Sequence, residues 1–130
     1  MVSKYNKFYE SKKKFPNLKR IEVDGFKVLI GRDSKSNDYL TTIMADDDDV
    51  WMHVKGYPGS HVLIRSKDHV VPDETKQKVA KLAVLHSRAK GKDIVKVVVC
   101  KAKFVKKERD MNDGQVRVDY NNADYFSVRN

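Results

Sequence analysis

The sequence predicts an α+β fold: a mostly antiparallel β-sheet with one long helix, about residues 73–90, packed on one face, and a short helix near residues 37–44. Three observations carry this. Asp24-Gly25 stands between two apolar-rich runs. Residues 94–100 are almost continuously apolar and β-branched. Val79, Leu82, Ala83 and His86 recur at i, i+3, i+4 and i+7 behind Pro72.

Residues 1–19 are polar and lysine-rich, with Phe8, Tyr9 and Phe15 interspersed, and read as a basic arm or short helix ended by Pro16 and Asn17. Residues 20–130 read as a single domain. It opens with a hairpin, residues 20–23 and 26–30, because Asp-Gly supplies the positive φ angles that match strand twist. Asn37 is expected to cap the short helix, with Asp38 near its positive end. The run Asp46-Asp47-Asp48-Asp49 reads as a solvated turn. Residues 50–54 and 61–65 are expected as strands, with Pro58-Gly59 turning the chain between them.

Asp73 or Thr75 should cap the long helix, and Arg88 and Lys90 should close its last turn before Gly91. Residues 94–100 form a central strand covered on both faces. Residues 103–107, 115–120 and 125–128 complete the sheet, with Asn112-Asp113-Gly114 turning the first two into a hairpin.

The chain's 130 residues suit one core, and no apolar run approaches the roughly 20 residues that cross a bilayer. The first residues lack the apolar stretch of a signal peptide, which predicts a cytoplasmic protein. The single cysteine, Cys100, lies inside the apolar run and reads as a buried small hydrophobe. Lysine and arginine number 27 against 18 acids, a net charge of +9. The excess is clustered: residues 1–20 hold seven basic side chains and one acid, and residues 101–109 hold five and one. Clustered cations suit a phosphate backbone.

The densest constellation runs from Asp49 to Arg65. Strand alternation sets Trp51, His53 and Lys55 on one face of the first strand, and His61, Leu63 and Arg65 on one face of the second. Pairing of Lys55 with His61 would unite them on a single surface, while a slip of one residue would divide them. Such a surface suits RNA, because rings stack on unpaired bases and cations hold phosphates. Trp51, the only tryptophan, reads first as core, with stacking as the alternative.

Ordered blocks then point further. Gly31-Arg32, Asn37-Asp38, Asp49-x-Trp51-x-His53-Val54 and Pro58-Gly59-Ser60-His61-Val62 resemble the NFACT-R domain of ribosome-associated quality-control factors. The resemblance runs from about Arg20 to Val128 and includes Asp24-Gly25 and Ser87. His86 departs from it, standing where the family has an aromatic residue. The large factors' N-terminal domain and coiled coil are absent, so the sequence reads as a free-standing copy. The resemblance implies RNA recognition, with tRNA or ribosomal RNA and the large ribosomal subunit as partners; no cofactor or metal is expected. The residues expected to serve it are Arg32, Lys35, Asn37, Asp49, Trp51, His53, Lys55, Ser60, His61, Arg65, Lys103 and Lys106.

Two other classes compete. His53 and His61 could act as acid and base on a phosphodiester in an RNA-processing enzyme, with Asp49 orienting one of them. No phosphate-cradling glycine loop or nucleophilic triad accompanies them. Zinc held by His53, His61, His69 and Cys100 would lack close ligand pairs, and four consecutive aspartates do not follow the alternate spacing of a calcium loop. The third class is a basic domain docking an acidic protein.

Overall fold

The computed structural model describes residues 14–130. The expected N-terminal arm falls mainly outside the described residues, although strand β1 already starts at Leu18. In chain order the elements are β1 (Leu18–Val23), β2 (Phe26–Gly31), α1 (Ser34–Tyr39) running into a π-turn (Leu40–Met44), β3 (Val50–Val54), β4 (Val62–Ile64), α2 (Asp73–Leu85), β5 (Ile94–Lys101), β6 (Val105–Lys106), β7 (Arg117–Val118) and β8 (Asp124–Arg129). Six strands form one antiparallel sheet in the order β1-β2-β4-β3-β5-β8. This is the α+β class that the sequence predicts.

The first hairpin turns on Asp24 and Gly25, whose φ angles of 52° and 85° give the mirror-image turn that matches strand twist. β5 lies between β3 and β8, and its alternate residues bury on both faces. Val28, Ile30, Met52, Val54, Ile64, Val97 and Val99 pack beneath Val79, Ala80, Ala83 and Val84 of α2. Leu29, Trp51, Leu63, Val98 and Cys100 face the other way, under Leu40 and Val105. Each such aliphatic side chain stabilises the fold by about 1.5–3 kcal/mol when fully buried. Among the described residues, no helix is long and apolar enough to cross a membrane.

Several expectations need correcting. The first helix begins three residues before Asn37, because Asp33 accepts from the Ser36 amide at 2.8 Å and caps it. Neither Asp73 nor Thr75 caps α2: Pro72 holds the cap position, and the Thr75 hydroxyl donates instead to Asp24 at 2.8 Å.

That helix stops at Leu85, not near residue 90. The chain is drawn off it by pairing with the 58–60 loop: Ser60 N donates to His86 O at 3.1 Å and Arg88 N to Pro58 O at 2.9 Å. Tertiary pairing here overrides helix propensity. Residues 103–107 and 115–120 do not join the main sheet; β6 and β7 form a separate ribbon over it. Lys106 pairs with Arg117, so the connection is a ten-residue loop and Asn112–Gln115 is only one turn within it.

Candidate nucleic-acid interface

β3 and β4 pair with Met52 opposite Val62, which sets His53 beside His61, two residues away from the expected register. An even shift keeps the same side chains on the same face. Trp51, His53 and His61 therefore cluster, with ring centroids 5.3–6.1 Å apart. Only His53 reaches solvent. Trp51 and His61 are each 2% exposed, so the core reading holds for the tryptophan and neither ring is presented to a strand of RNA.

Burial obliges these polar groups to find partners. Trp51 Nε1 donates to Thr41 Oγ1 at 3.0 Å, and that hydroxyl lies 2.7 Å from His61 Nδ1. The other ring nitrogen lies 3.0 Å from the Gly114 carbonyl, which can only accept. The chain of donors closes if His61 is neutral with its proton on Nε2, leaving Nδ1 to accept from Thr41. Burial, then repulsion from His53, pushes the His61 pKa down from 6.5 to about 4, in keeping with that state. Burial also lowers the pKa of His53. With both nitrogens engaged, His61 is a structural tie between β4, the π-turn and the 107–116 loop. This does not suit a general base. The π-turn contributes directly: it buries both Leu40 and Thr41.

The glycine blocks act by close approach. A Cβ on Gly31 would sit 1.9 Å from Asn37 Oδ1, the atom that accepts from the His61 amide at 3.0 Å. A Cβ on Gly59 would sit 2.7 Å from the Ser87 Cβ. Gly31→Ala should therefore displace Asn37 and cost about 2 kcal/mol. Urea denaturation monitored by Trp51 fluorescence measures this, and an unchanged midpoint would show that Asn37 swings clear without loss.

Asp49 corrects the expectation of a solvated turn. Asp46, Asp47 and Asp48 are exposed, but Asp49 is 0% exposed and accepts from Asp46 N, Ser66 N and Arg65 Nη1 at 2.9–3.1 Å. Arg65 also donates to Met44 O at 2.6 Å. Asp49 and Arg65 are thus tied to each other, and Asp49 has no open surface.

The strands run between two ends of opposite character. One end gathers Gly31, His61, Val54, Ile94 and Arg129. It exposes Arg32, Lys35, Lys55, Arg88, Lys96 and Arg129, none of which joins an ion pair among the described residues. The other end carries Asp24, the 46–49 turn, Asp68, Asp73, Glu74 and Asp124. Most cations there are matched to acids: Lys78 to Asp24, Arg65 to Asp49 and Asp46, Lys101 and Lys103 to Asp48; Lys27 and Lys67 join no ion pair among the described residues.

The structure thus brings Arg32, Lys35, Asn37, His53, Lys55, Ser60 and His61 to one end, with Asn37 and His61 buried. It takes Asp49, Arg65 and Lys103 to the other, and leaves Lys106 exposed on the ribbon. A groove of about 420 Å³ at the cationic end is lined by Arg32, Asn37, Gly59, Ser60, Ser87 and Arg88, together with Asp33, whose carboxylate caps α1, so blocks far apart in sequence meet there. Sequence reasoning missed Arg88, Lys96 and Arg129. Lys96 carried a signal, as the one charge inside an otherwise apolar strand.

The chain is 42% identical over 96 residues to the Rqc2 homolog RqcH of Bacillus subtilis, a match covering 73% of this chain and 16% of that one. It is 30% identical over 83 residues to the archaeal Rqc2 homolog aRqcH of Methanocaldococcus jannaschii, covering 64% and 12%. It therefore spans only a small part of the length of these relatives. Its fold superposes on the C-terminal part of the fibronectin/fibrinogen-binding protein from Streptococcus suis with a TM-score of 0.79 and 31% identity, covering 91% of this chain and 46% of the other. Residues 14–120 match the family described as the NFACT protein RNA binding domain, and the chain belongs to that family.

Proposed function

We propose that this chain is a non-catalytic RNA-binding module serving ribosome-associated quality control, and that its RNA is tRNA or ribosomal RNA of the large subunit. The observation that carries the reading is the cationic end, where Arg32, Lys35, Lys55, Arg88, Lys96 and Arg129 stand without acidic partners among the described residues. Cations gathered at one end, two of which (Arg32 and Arg88) line the groove beside the helix-capping Asp33, attract a phosphate backbone and release its counterions. Family membership and the likeness to Rqc2 homologues support the same reading. Asn37, Trp51 and His61 serve it indirectly, by holding the loops that carry Arg32, Ser60 and Arg88 in place. A role at the ribosome places the chain in the cytoplasm.

The test is titration of tRNA, double-stranded DNA and an acidic polypeptide at two salt concentrations. RNA binding should survive the higher salt best. The double variant Arg32→Ala/Arg88→Ala should weaken tRNA binding and lower the salt slope by about 1.4–1.8, about 0.7–0.9 for each phosphate no longer neutralised. Its stability should change by less than about 0.5 kcal/mol, because both side chains are exposed. Lys103→Ala, whose charge faces Asp48, should change binding little. Equal affinity in the double variant and the parent would remove this surface from consideration.

A further inference from the structure

The sheet face that carries Trp51 is roofed by the π-turn and the β6–β7 ribbon, and the roof ends over β5 and β8. There a cleft of about 510 Å³ opens between the sheet and the 111–118 segment, within the roughly 300–1,000 Å³ typical of ligand sites. Its floor is His53 and Val98, and Lys55 and Tyr120 stand at its edge. The His53 ring lies nearly parallel to Trp51, at 14°, so it continues the buried stack toward solvent. Val98 pairs with Tyr125 on β8, which places a second ring along the same row, beside the cleft rather than in its lining. Tyr120 and Tyr125 are 57% and 42% exposed, and the Lys55 ammonium sits 4.8 Å from the Tyr125 ring centroid. Lys96 follows on the same face of β5, and no acidic residue lines the cleft among the described residues.

We propose that this cleft receives one unpaired nucleobase, set against His53 and the tyrosine rings while Lys55 and Lys96 hold the flanking phosphates. This rests on the RNA-binding reading and narrows it to single-stranded segments, loops or ends. Flat rings beside unopposed cations are what an unstacked nucleotide requires. A base held in a duplex keeps both faces covered by its neighbours and cannot enter.

The experiment uses the full chain and a short RNA carrying one 2-aminopurine, presented single-stranded or annealed to its complement. The single strand should bind with quenching of the probe, and the duplex without it. Tyr120→Ala and Tyr125→Ala should each weaken the single strand about tenfold and relieve the quenching. The corresponding Tyr→Phe variants should keep both, since the ring and not the hydroxyl is used. Duplex affinity should be the same in all variants. RNA binding without any probe response, or alanine variants indistinguishable from the parent, would overturn the cleft assignment and leave the cationic end standing. Failure of the parent to bind either RNA would overturn both.

Discussion

Asp49→Ala is expected to remove about 3 kcal/mol of stability, a large part of the roughly 5–15 kcal/mol that holds a domain of this size. The Asp49 carboxylate is fully buried and accepts from the amides of Asp46 and Ser66, the Ser66 hydroxyl and the Arg65 guanidinium. Alanine would leave the buried Ser66 amide without an acceptor and Arg65, 19% exposed, beside a void. Unmatched buried donors cost more than the bonds themselves contributed. Asp49→Asn keeps an acceptor for Ser66 and should lose less. Asp47→Ala, two positions away and exposed, should shift the urea midpoint by less than about 0.5 kcal/mol equivalent. If Asp47→Ala and Asp49→Ala unfold at the same urea concentration, the buried network is not what fixes the 46–66 region.

The second large effect is loss of stability in mild acid. Burial and His53 hold the His61 pKa at about 4, against 6.5 in the ordinary state. Between these values the unfolded chain takes up a proton that the folded chain refuses. The contribution is therefore complete above about pH 6.5 and is lost as pH falls toward 4. The whole gap is worth about 3 kcal/mol, of which about 2 kcal/mol should be gone by pH 5. His53, whose pKa is also lowered by burial, adds in the same direction. Urea denaturation at pH 7.5 and pH 5 checks this. His61→Gln should be less stable than the parent at pH 7.5 but should vary less between the two pH values. Parallel pH curves for parent and variant would mean that His61 is not the group refusing the proton.

How much of this was legible in the sequence depended on range. Asp24-Gly25 and the 94–100 run specify their elements through neighbouring residues, and both stand where the sequence predicts them. The end of α2 was not legible, because it is decided by Gly59 meeting Ser87, residues 28 positions apart in the chain. The four aspartates show the same limit. Nothing within residues 46–49 distinguishes the last of them; its burial comes from Arg65 and Ser66, just past the end of β4. Alternation correctly grouped Trp51, His53 and His61, yet it could not tell an open face from a roofed one. The roof is the β6–β7 ribbon, whose residues have the pattern of further sheet. Arg65 has the look of a strand-end cation for RNA, and only its distant partner shows that its charge is already used.

The separation of the two ends has a consequence for motion in solution. With an excess of arginines and lysines at one pole, where Asp33 and Asp93 also lie, and an excess of carboxylates at the other, the described fold is an electric dipole along its strands. A dipole approaching a polyanion feels a torque as well as an attraction, so the molecule turns its groove forward before any side chain touches. Correct orientation then precedes contact. The turning force reaches only about 8 Å beyond the surface at physiological ionic strength, so added salt should slow arrival more than it hastens departure.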